Sequence, residues 1–448
     1  MDDQPNVILI IADQWSTRIA DGSGQYDGVI QTPGIDRLAR EGIRFTQSYS
    51  AFPLCGPARA TIFTGLMPHH NMMLNNEEVY MERLGQVPTL DNLPTLGSEL
   101  KRAGYITAYF GKEHAGGYGW NAIDQFGSMA YSAGGMLAEG SVFDQVFTRD
   151  AIAFIKQPHD APFYMTLSLI NPHDICKVLG GKVQGATIAD AIFFCRTDDE
   201  LYLRFKQRPD FPSNHHAPAI PGMQRDGEYM YEELHDWDEN QWKRYLAAYY
   251  LLLEKTDWFV ELLLDALRDA GLEENTIVIF TTDHGEMMGS HHLISKTIFY
   301  EESAKTMMLV KQPGKITPGA VDQSSLIGTQ DVMPTILDLC GVGLPTGLDG
   351  RSFKARCYGQ PDGDFSALYA SNFDGRMLRQ GPYKFVKSQI EGQDFQILFD
   401  LANDPDETRN VFGQAGYEQI SADLHQQMMA WIEQEGIGLT FDDLSGKG

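Results

Sequence analysis

Val7-Ile8-Leu9-Ile10-Ile11-Ala12, followed at once by Asp13-Gln14, is the stretch that decides how this chain folds. Its apolar residues run without a polar interruption and most are β-branched, the pattern of a strand covered on both faces in a largely parallel sheet. Residues 277–281 (IVIFT) repeat it, and residues 163–169 (FYMTLSL) are a third candidate strand. Helical stretches lie between them at 35–41, 96–103, 143–156 and, longest, 238–270. Strands alternating with helices predict an α/β sandwich. Ligands in such sheets gather beyond the carboxyl ends of the strands. Asp13-Gln14 ends the first strand and Asp283-His284-Gly285-Glu286 ends a late one, so two polar groups far apart in sequence are expected to meet at that edge.

At 448 residues the chain exceeds what one hydrophobic core usually holds, so a large domain and a smaller one are expected. The stretch 190–231 carries Pro209, Pro212, Pro218 and Pro221 and reads as a long surface excursion over a functional site. Beyond Gly341 the composition turns to glycine and proline. Strand-like pieces at 366–370, 383–386 and 396–401 and a helix near 420–435 follow, predicting a small C-terminal α+β domain.

Lys and Arg number 35 against 61 Asp and Glu, a net charge of −26. Such a surface repels polyanions and excludes nucleic acid as a partner. An anionic substrate must therefore be captured by a local cluster of cations. Five cysteines, at 55, 176, 195, 340 and 357, are odd in number and lack C-x-x-C spacing, so they predict reduced thiols and neither a disulfide framework nor a zinc knuckle. No run approaches the roughly 20 apolar residues that cross a bilayer, and no membrane partner is expected. The opening Met1-Asp2-Asp3-Gln4-Pro5 has no basic region or cleavage site, which predicts a cytoplasmic protein as the sequence stands. A periplasmic or secreted location applies if a signal peptide has been removed.

Cys55 heads Cys55-Gly56-Pro57-Ala58-Arg59, which runs into the helix-like Ala60-Thr61-Ile62-Phe63-Thr64-Gly65. That context reads as a nucleophile, against the plainer alternative of a buried thiol. Asp13, Gln14, Asp283 and His284 form a donor set for a hard divalent cation, although either aspartate alone would be read as a turn or helix cap. Three further segments bring cations and histidines: Gly111-Lys112-Glu113-His114, Asn171-Pro172-His173, and 289–302 (GSHHLISKTIFYEE), which holds His291, His292 and Lys296. Taken singly, each lysine is a solvated side chain and each histidine a surface or core residue.

Together these segments resemble the type I, formylglycine-dependent sulfatases of the alkaline phosphatase superfamily, whose signature is C-x-P-x-R followed by a short apolar run and Thr-Gly. The resemblance extends diffusely along most of the chain, through Gln330-Asp331-Val332-Met333-Pro334-Thr335, Leu348-Asp349-Gly350-Arg351-Ser352 and Phe399-Asp400-Leu401. It implies an alkaline-phosphatase-like sandwich, with a large mixed, mainly parallel central sheet flanked by helices. A small C-terminal α+β domain with a short antiparallel sheet completes it, giving a catalytic domain over 1–355 and a subdomain over 356–448. It further implies that Cys55 becomes formylglycine through a maturation enzyme, and that Asp13, Gln14, Asp283 and His284 with the formylglycine oxygen bind Ca2+. Nitrogen ligation leaves room for Mn2+.

By the same resemblance Arg59 fixes the formylglycine, Lys112 and Lys296 neutralise sulfate oxygens, and His114 binds the formylglycine hydroxyl. His173 holds a sulfate oxygen or protonates the leaving oxygen, while His291 and His292 border the substrate. Ala58 stands where most relatives have Ser, and Ile175 where Pro is common. The expected activity is release of inorganic sulfate from a sulfate monoester, most plausibly a sulfated carbohydrate. Trp237, Tyr229, Tyr231, His215 and His216 are candidates for an aromatic sugar subsite, and an oligomer is compatible with the sequence. Two alternatives stay open: a phosphonate or phosphate mono- or diester hydrolase of the same superfamily, and a sulfoglycan-binding relative without turnover.

Overall fold

The computed structural model describes residues 4–22, 30–77, 82, 85, 90, 92–116, 123–131, 140–179, 182–183, 210–223, 237–361 and 363–440. Its strands, in chain order, are β1 (Asn6–Asp13), β2 (Ile43–Tyr49), β3 (Ile106–Lys112), β4 (Gln125–Tyr131), β5 (Phe163–Pro172), the two-residue β6 (Val178–Leu179) and β7 (Lys182–Val183), then β8 (Thr276–Thr282), β9 (Lys305–Lys311), β10 (Ala320–Asp322) and β11 (Ile327–Gly328). A nine-stranded sheet runs β10-β2-β9-β8-β1-β5-β3-β4, with β11 also paired to β2. β9 alone is reversed against its neighbours β2 and β8; the other pairings are parallel.

β1 lies at the heart of this sheet, with Ile8 in register with Met165 on one side and Val278 on the other. Its side chains alternate between two cores. Ile8, Ile10 and Ala12 enter one, with Ile35 and Leu38 of α1 (Pro33–Glu41), Phe147 and Ala151 of α5 (Gly140–Ile155), and Val260 and Leu263 of α6 (Glu239–Asp269). Val7, Leu9 and Ile11 enter the other, with Ile62 and Phe63 of α2 (Cys55–Thr64), Leu96 and Leu100 of α4 (Leu96–Arg102), and Met333 and Ile336 of α7 (Val332–Leu339). An unbroken apolar strand is what a sheet covered by helices on both faces requires. No helix among the described residues is long and apolar enough to cross a membrane.

The predicted helix at 238–270 is the 31-residue α6, whose Asp238 and Gln241 form a reciprocal capping box. Strands β12 (Ala367–Ser371), β13 (Gly375–Gln380), β14 (Tyr383–Ile390) and β15 (Gln393–Asp400) form an antiparallel sheet in chain order. One face, through Met377, Val386 and Ile397, joins the first core of the main sheet. The other, through Leu378, Phe385 and Leu398, packs on Leu424, Met428 and Ile432 of α8 (Glu418–Glu435). Of the predicted excursion 190–231, residues 210–223 are described; Tyr229 and Tyr231 lie outside the described residues.

Asp257 of α6 is fully buried and caps α1: Gly34 N donates to its Oδ2 at 2.9 Å and Ile35 N to its Oδ1 at 2.7 Å. Burial pushes this carboxyl up to about 7 despite both bonds. An unfolded aspartate titrates near ~3.9, so the folded chain binds the proton more tightly between these values. The stability from that extra affinity is present at low pH and is lost as pH rises from about 4 through about 7. The urea midpoint of wild type should therefore fall between pH 5 and pH 8 relative to that of Asp257→Asn, whereas a constant offset would show an ordinary carboxyl.

Candidate active site

The adjacent parallel strands β8, β1, β5 and β3 finish at one edge, where they deliver Asp283-His284, Asp13-Gln14, His173 and Lys112. Gly111, just before Lys112, has φ 117°, and a Cβ there would sit 1.9 Å from the Ser168 carbonyl oxygen. Glycine is what lets β3 close on β5 at this point. Cys55 arrives from across the edge as the first residue of α2, a helix with all ten residues buried. Its amino-terminal end adds positive potential to the site.

Arg59 lies one turn along α2 and links the strand ends. Its Nη2 donates to Asp13 Oδ2 and its Nε to Asp283 Oδ2, both at 3.0 Å. Its Nη1 reaches the Lys112 carbonyl oxygen at 3.0 Å and Ser168 Oγ at 2.7 Å. Lys112 Nζ takes the same Asp13 oxygen at 2.6 Å. Each aspartate thus gives one oxygen to cations and keeps the other for the opposite side.

There, Asp13 Oδ1 is 3.7 Å from Cys55 Sγ and 4.0 Å from His284 Nε2, while His284 Nε2 lies 3.3 Å from the sulfur and 3.8 Å from Asp283 Oδ1. Asp13, Cys55, Asp283 and His284 offer ligand atoms within 4.8 Å of one another. His284 Nδ1 donates to the Gly285 carbonyl oxygen at 2.9 Å, which leaves the Nε2 lone pair directed into the group. A second bond that fixes the tautomer is the usual support of a metal-binding histidine. The donor set fits a divalent cation, and the Cys55 sulfur marks where a formylglycine oxygen would stand.

Gln14 borders this group with φ 65°. Its amide oxygen accepts from Lys296 Nζ at 2.5 Å and from Cys176 Sγ at 3.3 Å, and its Nε2 donates to Glu286 Oε2 at 2.5 Å. Tyr245 OH and Ser295 N hold the other Glu286 oxygen at 2.8 and 2.6 Å. Three buried carboxylates, Asp13, Asp283 and Glu286, thereby face three buried cations, Arg59, Lys112 and Lys296. Burial pushes the Asp13 carboxyl up, yet Lys112, His173, Arg59 and His284 hold it well below the usual carboxylate range. Burial also opposes charge on Lys296, but the Cys176, Cys55, Asp13 and Glu286 side chains raise it above an ordinary lysine. A divalent ion added to this balanced set leaves net positive charge for an anionic ester.

His173 is buried and its Nδ1 has no hydrogen-bond partner among the described residues. Burial, then Lys112 and Lys296, push it well below an ordinary histidine, so the ring is neutral. His114 is buried near Lys112 with φ 52°. His291 is stacked on Tyr300 at 4.0 Å, with its ring nitrogens 3.2 Å from Asn214 Nδ2 and 3.4 Å from the Pro218 carbonyl oxygen. The aromatic candidates for a sugar subsite prove largely a packed cluster, Trp237 and His215 lying 4.8 and 5.0 Å from the buried Trp242, with half-buried His292 and exposed His216 at its rim.

In the sequence Glu286 and Cys176 carried no site role, and Ser168, Tyr245 and Tyr249 were not marked. A signal existed for some of them. Ser168 is a hydroxyl in a strand buried at every position. Tyr245 and Tyr249 share a face of α6 at i,i+4 spacing, and Tyr249 OH donates to the Gln14 carbonyl oxygen at 2.6 Å.

Cations and a cation-binding group at one edge of a helix-covered, mainly parallel sheet place this protein among the alkaline-phosphatase-like hydrolases of anionic esters. The family model described as Sulfatase matches residues 5–342, and one described as N-sulphoglucosamine sulphohydrolase, C-terminal, matches residues 289–434. The chain belongs to the sulfatase family and is a sulfuric ester hydrolase. It is 28% identical over 442 residues to a Delta 4,5-hexuronate-2-O-sulfatase of Bacteroides thetaiotaomicron, covering 94% of this chain and 87% of that protein. An N-acetylglucosamine-6-O-sulfatase of the same organism is 26% identical over 491 residues, covering 94% and 85%. A solved 2-O GAG sulfatase superposes with a TM-score of 0.80 at 24% identity, covering 97% of this chain and 93% of the other.

Arg59→Ala leaves the buried Asp13 and Asp283 carboxylates short of a partner, so it should destabilise the fold by about 3–5 kcal/mol in urea denaturation. Ser168→Ala removes one of the Arg59 bonds and should cost about 1–3 kcal/mol.

Proposed function

We propose that this sulfatase releases sulfate from a sulfated carbohydrate, using formylglycine made from Cys55 and a calcium ion held by Asp13, Gln14, Asp283 and His284. The observation that carries the reading is the place of Cys55, at the amino-terminal end of a buried helix and 3.3 Å from the metal-ready face of His284. The similar hexuronate-2-O-sulfatase and N-acetylglucosamine-6-O-sulfatase support a sugar as the alcohol released. When present, formylglycine supplies a hydrated-aldehyde hydroxyl as nucleophile, and the cation supplies Lewis-acid polarisation.

The remaining work falls to side chains of this chain. Lys112 and Lys296 bracket the sulfate oxygens and offset the charge that builds on them. Arg59 fixes the side chain at position 55 and, with Lys112 and His173, holds Asp13 in its ionised form. His114 would serve as proton acceptor for the formylglycine, and neutral His173 would present a ring N–H to the leaving oxygen. His292 and His291 border the sugar side, through contact and through packing respectively. Because α2 is buried over its whole length, a maturation enzyme must read Cys55-Gly56-Pro57-Ala58-Arg59 before the chain folds.

A panel of sulfated mono- and disaccharides, assayed after chelation and readdition of calcium or manganese, tests substrate and metal together. Turnover should vanish with chelator and return with calcium, and manganese as the better activator would overturn the metal assignment. Faster cleavage of a phosphonate than of a sulfate ester with the same leaving group would sink the sulfate reading. Cys55→Ala should lose roughly 10^4–10^6-fold in kcat, as expected for a nucleophile. Intact mass of the native-host peptide should show Cys55 lighter by the difference between SH2 and O.

A further inference from the structure

His69 and His70 lie in the short α3 (Pro68–Asn71), beyond the carboxyl end of α2. A helix of this length rises about 15 Å, which sets them well apart from Cys55. His69 Nε2 is 3.4 Å from Glu435 Oε2, and His70 Nε2 is 3.6 Å from the same oxygen. The three donor atoms lie within 4.8 Å of one another. Glu435 is the last residue of α8, so the cluster joins the corner behind α2 to the C-terminal helix.

The ring of His70 is oriented from its far side. Its Nδ1 lies 2.9 Å from both carboxylate oxygens of Asp349, so a hydrogen on Nδ1 turns the Nε2 lone pair toward Glu435. Asp349 is itself anchored, because Met67 N donates to its Oδ2 at 2.6 Å. His69 is held by its neighbours, with the His70 ring at 4.3 Å and the edge of Trp431 at 6.0 Å. The His69 side chain is only 2% exposed, and its Nδ1 has no hydrogen-bond partner among the described residues. Two imidazoles and a carboxylate thus converge on one point: with the hydrogen of His69 on Nε2 that ring donates to Glu435, and with it on Nδ1 three lone pairs face one another as a cation site.

We propose that His69, His70 and Glu435 bind a divalent transition-metal ion of the zinc class, with solvent as fourth ligand, and that this ion clamps α8 to the catalytic domain. A tetrahedral zinc at roughly 2.0–2.1 Å from each donor separates neighbouring donors by roughly 3.3–3.4 Å, against the 3.4 and 3.6 Å observed. Two nitrogen donors select against calcium and magnesium, which take oxygen. The carboxylate behind His70 is the usual outer support of a zinc-bound imidazole. His70, with its side chain 41% exposed, opens the site to solvent and to the arriving ion. The competing state is metal-free, with a ring N–H of His69 or of a charged His70 donating to Glu435.

Zinc content of the full-length enzyme, after equilibration with zinc and gel filtration, decides between them. Wild type should retain one equivalent more than His70→Ala and Glu435→Gln. Both variants should keep sulfate-ester turnover, since neither residue approaches the strand-end site. Cobalt substitution should give the visible bands of a four-coordinate ion in wild type and lose them in both variants. Asp349→Asn should weaken zinc binding roughly 10–100-fold. Asp13→Asn, which damages the strand-end group, should leave this ion in place and covers the case in which a clamp variant fails to fold. Equal zinc in wild type and His70→Ala, with no cobalt bands, would show that hydrogen bonds alone hold the cluster and overturn the proposal.

Discussion

Arg59 is the constraint on which the site depends, because one guanidinium spans the ends of two neighbouring strands. Its fork takes one oxygen from Asp13 and one from Asp283 at equal distance, and its remaining donors reach β3 and β5. A lysine, with one compact ammonium, could not serve all of these partners at once. The bridge also orients the carboxylates, since it turns Asp13 Oδ1 toward Cys55 and His284 and leaves Asp283 Oδ1 to the backbone N–H groups of Gln14 and His284. The same group therefore keeps the strand ends in register and shapes the face whose donors fit a cation.

Burying so many charges is costly unless each is matched. The match here is spatial as well as numerical. Lys112 doubles the pull on Asp13, while Lys296 reaches Gln14, whose amide passes the interaction on to Glu286 and from there to Tyr245. The acidic exterior implied by the net charge of −26 is thereby separated from an interior in which three carboxylates and three cations balance. Among the described residues, Lys112, Lys296 and the amino-terminal end of α2 bring positive potential to the strand-end edge.

Much of the fold was legible in the sequence. Apolar runs with no polar face marked β1, β5 and β8, and the caps of α6 fell at Asp238 and Ala270, the ends expected from its periodicity. Strands β2 and β9 were not marked. Residues 43–49 (IRFTQSY) mix polar and apolar positions, and residues 305–311 (KTMMLVK) rely on methionine and leucine, which do not distinguish strand from helix. β13 (GRMLRQ) was obscured for a related reason: its arginines are buried because carbonyl and hydroxyl oxygens receive them, as when Arg379 Nε donates to Tyr49 OH at 2.9 Å.

The sequence by itself determined which residue types would do chemistry: a cysteine in a Cys-Gly-Pro-Ala-Arg setting, aspartates at strand ends, and lysines and histidines in short polar segments. These were readable because a strand end or helix start fixes a side chain within a few residues. Only the tertiary structure decided how they share their atoms. It gave one oxygen of each aspartate to Arg59, turned the other Asp13 oxygen toward Cys55 and His284, tied Gln14 to Lys296 and Glu286, and set His291 flat on Tyr300. It also brought His69 and His70 to Glu435, residues that are 366 and 365 positions apart and whose convergence follows from the packing of α8. Contacts of that range depend on how sheets and helices stack, and local patterning of side chains carries no information about it.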